Sequence, residues 1–235
     1  VRLEADFPDK SAVRALLDGG MAPGARVPEW RGRIESFELG GLTALALSAP
    51  ARLVVSAERL ELGETLLAGA PGEIRLAETQ WTPAGLRTRG SSSAVVVRTI
   101  RQILGVQGEV GSNLVLAGDW DLTIGESVDG FASLRRVRGD VRLGEPRQAM
   151  GLEAVNLRAE AAGGRVKAAM EVRGSLIGNW RAEGDATLRA GETGWEISPA
   201  APLAGRFELD VPDLAWMAAW LGPEARTTGR LKGEG

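Results

Sequence analysis

Between Asn113 and Ile124 the chain alternates without a break. Leu114, Leu116, Gly118, Trp120, Leu122 and Ile124 fall on one side of an extended backbone, and Asn113, Val115, Ala117, Asp119, Asp121 and Thr123 on the other. A side-chain period of two marks a strand whose two faces meet different surroundings. At about 3.3 Å per residue this run is a strand of order 40 Å, well above the usual length of about 5 or 6 residues. A strand that long, with one apolar face, needs an unusually long surface to cover it.

The same pattern governs most of the chain. At the start, Val1, Leu3, Ala5 and Phe7 alternate with Arg2, Glu4 and Asp6 before Pro8 and Asp9 stop the strand. Asp9 offers a helix start. A short helix is expected near Lys10 to Leu17, with Ala12, Val13, Leu16 and Leu17 on one side and Gly19-Gly20 ending it. Short strands are expected over 30–39, 42–48, 52–57, 73–77 and 86–89, punctuated by Gly, Pro and Ser. Ala94 to Leu104 reads as strand turning into helix, and Gly105 to Ser112 as a loop. That loop divides the chain into a first β segment, 1–104, and a second, 105–235, continuing the same elongated sheet. Beyond the long run, strands are expected over 134–143, 152–160, 166–173, 179–189 and 203–211.

One unit recurs. Leu3-Glu4-Ala5-Asp6-Phe7-Pro8-Asp9 returns 204 positions later as Phe207-Glu208-Leu209-Asp210-Val211-Pro212-Asp213, each copy running into an apolar segment. The second segment, Leu214 to Leu221, is read as another short helix. A repeated supersecondary unit points to an elongated architecture in which each unit contacts mainly its neighbours.

Composition narrows the chemistry. The chain has neither histidine nor cysteine, which removes imidazole bases, Ser-His and Cys-His nucleophile pairs, disulfides and almost every zinc site. Net charge is −3 with basic residues dispersed among acidic ones, so no basic stripe captures nucleic acid. No stretch approaches 18 uninterrupted apolar residues, and no charged-then-apolar leader opens the chain, as an excised internal piece would also give.

Three strands share the tag Gly-Asp-x-x-Leu, at Gly118-Asp119, Gly139-Asp140 and Gly184-Asp185. The aspartates are read as solvent-facing residues beside a bend, and the glycines as a regular device that curves the sheet. A second tag, Gly-Arg before a large apolar residue, occurs at Gly32, Gly205 and Gly229. Leu42 to Leu47, apolar on nearly all of both faces, is read as a strand covered on both sides or a protected edge. The seven tryptophans either line an apolar groove or fill a closed core. Trp216 and Trp220 share one face of the second helix.

With these pieces in place, the chain resembles the TamB group of the AsmA-like family. The resemblance rests on Trp30-Arg31-Gly32-Arg33-Ile34, on Leu134-Arg135-Arg136-Val137-Arg138-Gly139-Asp140-Val141, and on Pro202-Leu203-Ala204-Gly205-Arg206-Phe207 through Pro212-Asp213-Leu214-Ala215-Trp216 to Thr227-Thr228-Gly229-Arg230-Leu231. It implies a mainly β fold, a long curved sheet forming an open, β-taco-like trough with an apolar interior. It also implies a periplasmic position within an inner-membrane-anchored protein, contact with the outer-membrane barrel subunit TamA through the full-length protein, and a role in moving phospholipid or assembling outer-membrane proteins. The family's membrane anchor and barrel-contacting segment have no counterpart in these residues.

The reading is a segment of a lipid-conducting bridge, not an enzyme, with no cofactor and no metal. Its ligand is the phospholipid acyl chain, for which burial is worth about 0.8 kcal/mol per CH₂ without any specific site. The expected groove residues are Leu114, Leu116, Trp120, Leu122, Ile124, Phe207, Leu209 and Val211. The alternative is a β-rich scaffold or chaperone with a closed core that binds client strands at its edges. A carbohydrate-active enzyme would need a carboxylate pair, and none stands out.

Overall fold

A computed structural model describes residues 1–6, 12–24, 26–40, 44–70, 72–97, 111–143, 148–191, 194–198, 201, 204–217 and 228–235. The fold is mainly β. The first half contains β1 (Arg2–Asp6), β2 (Ala12–Met21), β3 (Glu29–Leu39), β4 (Leu45–Leu47), β5 (Ala51–Ser56), β6 (Leu60–Leu62), β7 (Thr65–Gly69), β8 (Gly72–Thr82) and β9 (Gly85–Val96). The second contains β10 (Gly111–Ser112), β11 (Val115–Ile124), β12 (Val128–Arg138), β13 (Val141–Leu143), β14 (Gln148–Ala149), β15 (Leu152–Ala162) and β16 (Arg165–Gly174). It continues through β17 (Gly178–Gly191), β18 (Gly194–Ile197), β19 (Ala204–Val211), a 3₁₀ turn at Ala215–Met217 and β20 (Leu231–Glu234).

Seventeen strands form one sheet, and β10, β13 and β14 form a second, small one. Pairing is antiparallel throughout and follows chain order: β1, β2, β3, β5, β6, β8, β9, β11, β12, β15, β16, β17, β19, β20. The short strands β4 and β7 pair with each other and bridge β3 to β8, as β5 and β6 do further along the same strands, and β18 pairs with the far end of β17. Among the described residues β1 pairs only with β2 and β20 only with β19, so the sheet is open at both ends. Strands β9 and β11, on either side of the expected boundary, pair directly.

Tight turns explain how the meander reverses so often. Gly163 and Gly164, with φ of 57° and 75°, link β15 to β16 in the two-residue geometry whose twist matches the flanking strands. β-Bulges adjust the register in β3, β8, β9, β12 and β15. In β9 the irregularity coincides with Ala94, which has φ of 57°.

The helix expected over Lys10 to Leu17 is not formed: Ala12–Met21 is strand β2, paired on both sides. The stretch carries both periods, because Val13, Ala15 and Leu17 also alternate with Arg14, Leu16 and Asp18. Two neighbouring strands satisfy its backbone, and Gly19-Gly20 weaken any helix. The second helix is a three-residue 3₁₀ turn as far as Met217, and the rest of its expected span, with Trp220, lies outside the described residues. The helical half of 94–104 lies outside them as well. β4 is neither an edge nor covered on both sides: it pairs with β3 and β7, and Ala46 is exposed. The expected strand 134–143 is two strands, β12 and β13, divided at Gly139, whose φ is 87°.

Few side chains are fully buried. Among the described residues a single buried apolar cluster, Leu114, Leu116, Met150, Leu152, Val211 and Trp216, sits at one end of the strands, where Val141 of the small sheet packs against it. Total accessible surface is 14995 Å², against about 10,000 Å² for a compact monomer of this mass. The excess reflects a sheet that leaves much of both faces in solvent.

Candidate functional site

Cross-strand partners in register project to the same side of a sheet, so the pairing assigns each paired strand residue to a face. Through Leu122 runs a row comprising Leu53, Leu62, Thr79, Thr88, Leu122, Gly130, Ala161 and Val166. Two residues along the strands, a second row joins Met21, Trp30, Val55, Leu60, Trp81, Leu86, Ile124 and Val128. On the other side of Leu122, a row of small residues, Ala132, Ala159, Ala168 and Gly184, extends from Trp120. Next to it lies the row Gly118, Leu134, Leu157, Met170, Ala182 and Phe207. These rows belong to one apolar face spanning the sheet.

The opposite face is charged. Arg206 pairs with Glu183 at 2.7 Å, Arg230 with Asp210 at 2.6 Å, and Arg181 with Glu208 at 3.6 Å. Arg87 pairs with Asp121, and Glu29 lies between Arg31 and Arg59. Hydrogen bonds from these guanidinium groups lower the carboxyl pKa of Asp121, Glu29 and Asp210. The Ser127 hydroxyl, then the Gly163 N–H, does the same for Asp129. Exposed pairs of this kind add little stability singly; they keep this face wet while the other stays apolar.

Tryptophans flatten parts of the apolar face. The Trp30 ring lies over Gly19 and Gly32, paired in register, and a Cβ at either position would collide with it. Trp120 lies likewise over Gly90 and donates its indole N–H to the Thr88 hydroxyl at 3.2 Å. These strand glycines make room for rings on a surface where a side chain would hold the rings away.

Seven of the eight expected groove residues are paired on the same side of the sheet, and Leu114, just before β11, joins Leu116 in the end cluster; their surroundings differ. Leu114, Leu116 and Val211 are buried in the end cluster, and Leu209 packs against it. Trp120, Leu122 and Ile124 are half-buried, and Phe207 is 51% exposed. Leu134, Leu157 and Met170 share this face without being among the expected groove residues, and Trp30 and Trp81, two of the seven tryptophans for which groove and core were both open, lie on it as well. A shallow depression of about 470 Å³ opens on this face, lined by Leu134, Leu157, Met170, Ala132, Ala159 and Ala168 among others.

The Gly-Asp tags do not share one role. Asp119 and Asp185 are exposed on the charged face, as expected. Asp140 instead accepts hydrogen bonds from the N–H groups of Val141 (2.8 Å), Gly151 (2.8 Å) and Leu152 (3.2 Å), clamping the small sheet to β15. Gly118 lies under Leu134, whereas a Cβ at Gly184 would meet only the Ala204 carbonyl, in ordinary contact at 3.5 Å. Among the described residues no group of three acidic side chains is placed to hold a metal ion, and no helix is long and apolar enough to cross a membrane.

Fold and site together define a class: an open antiparallel β-sheet with one apolar and one charged face. No protein-family model matches the chain, and no match is found among curated proteins or solved structures.

Proposed function

We propose that this chain is a segment of a periplasm-spanning bridge of the TamB type within the AsmA-like family. Its apolar face carries phospholipid acyl chains between inner and outer membranes and supports outer-membrane protein assembly. The barrel subunit TamA is its partner through the full-length protein. What carries the reading is the register itself, which keeps apolar residues on one side from β1 to β19, with only one small three-stranded sheet besides the large one among the described residues. Exposed apolar surface on this scale marks an interaction site.

Transport along such a face needs neighbouring positions of similar affinity, so that no tail is trapped. Rows of Leu, Val, Ala and Trp repeated every two residues meet that need. Trp120, Leu122, Ile124 and Phe207 serve as contact residues, whereas Leu114, Leu116 and Val211 hold the end cluster together. The alternative, a closed scaffold, requires a filled interior, and the small number of buried side chains among the described residues weighs against it.

Native mass spectrometry with lipid extraction tests the proposal. The wild-type protein is expected to retain phospholipid, and Leu134→Asp, at a position 40% exposed, and Trp120→Asp are each expected to retain less of it. A wild type free of lipid, or a folded Leu134→Asp with undiminished lipid, would reject the carrier reading.

A further inference from the structure

We propose that Arg136 anchors the phosphate of a phospholipid on the apolar face and gives this segment a preference for anionic headgroups, an inference that rests on the carrier reading above. Among the described strand residues whose pairing places them on that face, Arg136 is the only charged one. Its register partner on β11 is Leu116, the row Val155, Val172, Trp180 and Leu209 continues the same face on β15 to β19, and Arg136 is half-buried.

The partners of Arg136 are what set it apart. Its Nε donates to the Gly139 carbonyl at 3.0 Å and Nη1 to the Glu153 carbonyl at 3.1 Å. No carboxylate lies within ion-pair distance among the described residues. Two neutral acceptors fix the guanidinium without neutralising it. A guanidinium has five N–H donors, so part of the fork remains for an anion. A half-buried cation without a counter-charge is held at a cost that a phosphate removes, through two parallel charge-assisted bonds.

Position supplies the second part. Leu134, two residues along β12 and about 7 Å away, opens the depression floored by Ala132, Ala159 and Ala168. A headgroup on Arg136 therefore places its acyl chains at the start of a shallow apolar track. Nonpolar contact holds the tails anywhere along the face; the cation adds a preference for the head at one position of that track.

Equilibrium binding of two probes with the same acyl chains, phosphatidic acid and diacylglycerol, separates the two ideas. The wild-type protein is expected to bind phosphatidic acid at least about tenfold tighter. Arg136→Gln is expected to bring the two within about twofold while diacylglycerol binding stays unchanged. Arg136→Lys, which keeps the charge but loses the fork, is expected to retain a reduced preference, and it replaces Arg136→Gln if losing the donor to Gly139 and Glu153 unfolds the chain. Equal binding by the wild type, a full preference surviving in folded Arg136→Gln, or an undiminished one in Arg136→Lys overturns the anchor and leaves the carrier reading standing. A wild type that binds neither probe removes both.

Discussion

At the scale of single residues, two kinds of contact hold the two faces apart. On the charged face, Arg31 and Arg59 hold the Glu29 carboxyl below its ordinary pKa, and Arg87 does the same for Asp121. A carboxyl whose pKa is lower folded than unfolded contributes stability that is present above the unfolded value, about 4, and is lost as pH falls through the folded value. Thermal melts should accordingly fall in temperature below about pH 4, and Glu29→Gln should flatten that dependence; an unchanged acid profile would contradict it. On the apolar face, Gly90 is needed because a Cβ there collides with the Trp120 ring and the Arg75 carbonyl. Gly90→Ala should cost about 1–3 kcal/mol and shift tryptophan emission as the ring loses its place and its bond to Thr88.

At the scale of elements, the end cluster is where, among the described residues, the sheet acquires a lid, and Asp140 fastens it. Its carboxylate accepts from three backbone N–H groups that bracket the start of β13 and of β15. Replacing Asp140 by Ala leaves those donors without that acceptor, and the urea midpoint should drop by the equivalent of about 2–4 kcal/mol. Asp119→Ala, at an exposed position on β11, should change it by no more than about 0.5 kcal/mol. Equal effects of the two substitutions would show that the clamp contributes nothing particular.

At the scale of the whole molecule, fourteen successive strands at about 4.8 Å spacing make a sheet contour of about 60 Å. A compact chain of 235 residues has a radius of gyration near 17–18 Å, and small-angle scattering should give a value several ångströms larger. A value at the compact limit would mean that the sheet folds onto itself and that the apolar face is closed. The same open architecture leaves the outer edges of β1 and β20 unpaired among the described residues, and such edges accept further strands.

Much of this was written in local pattern. Alternation located β3, β5, β11, β15, β16, β17 and β19 closely, because a strand with unlike faces carries its own period. It also put Leu116, Trp120, Leu122 and Ile124 on one side of β11. Local pattern could not choose between helix and strand for Ala12–Met21, where both periods coexist and only pairing with β1 and β3 decides. Nor could it separate Leu116, buried beneath a lid, from Leu122, left open, since the same residue type at the same parity serves either place. Arg136 is the clearest case. In sequence it is one of three arginines in Leu134 to Arg138; the bulge at Val137 and the pairing of β12 with β11 put it alone on the apolar side. The sequence by itself determined a two-faced β chain, because alternation is local. The tertiary structure decided which stretches of the apolar face are open, because that depends on register accumulated across strands far apart in the chain.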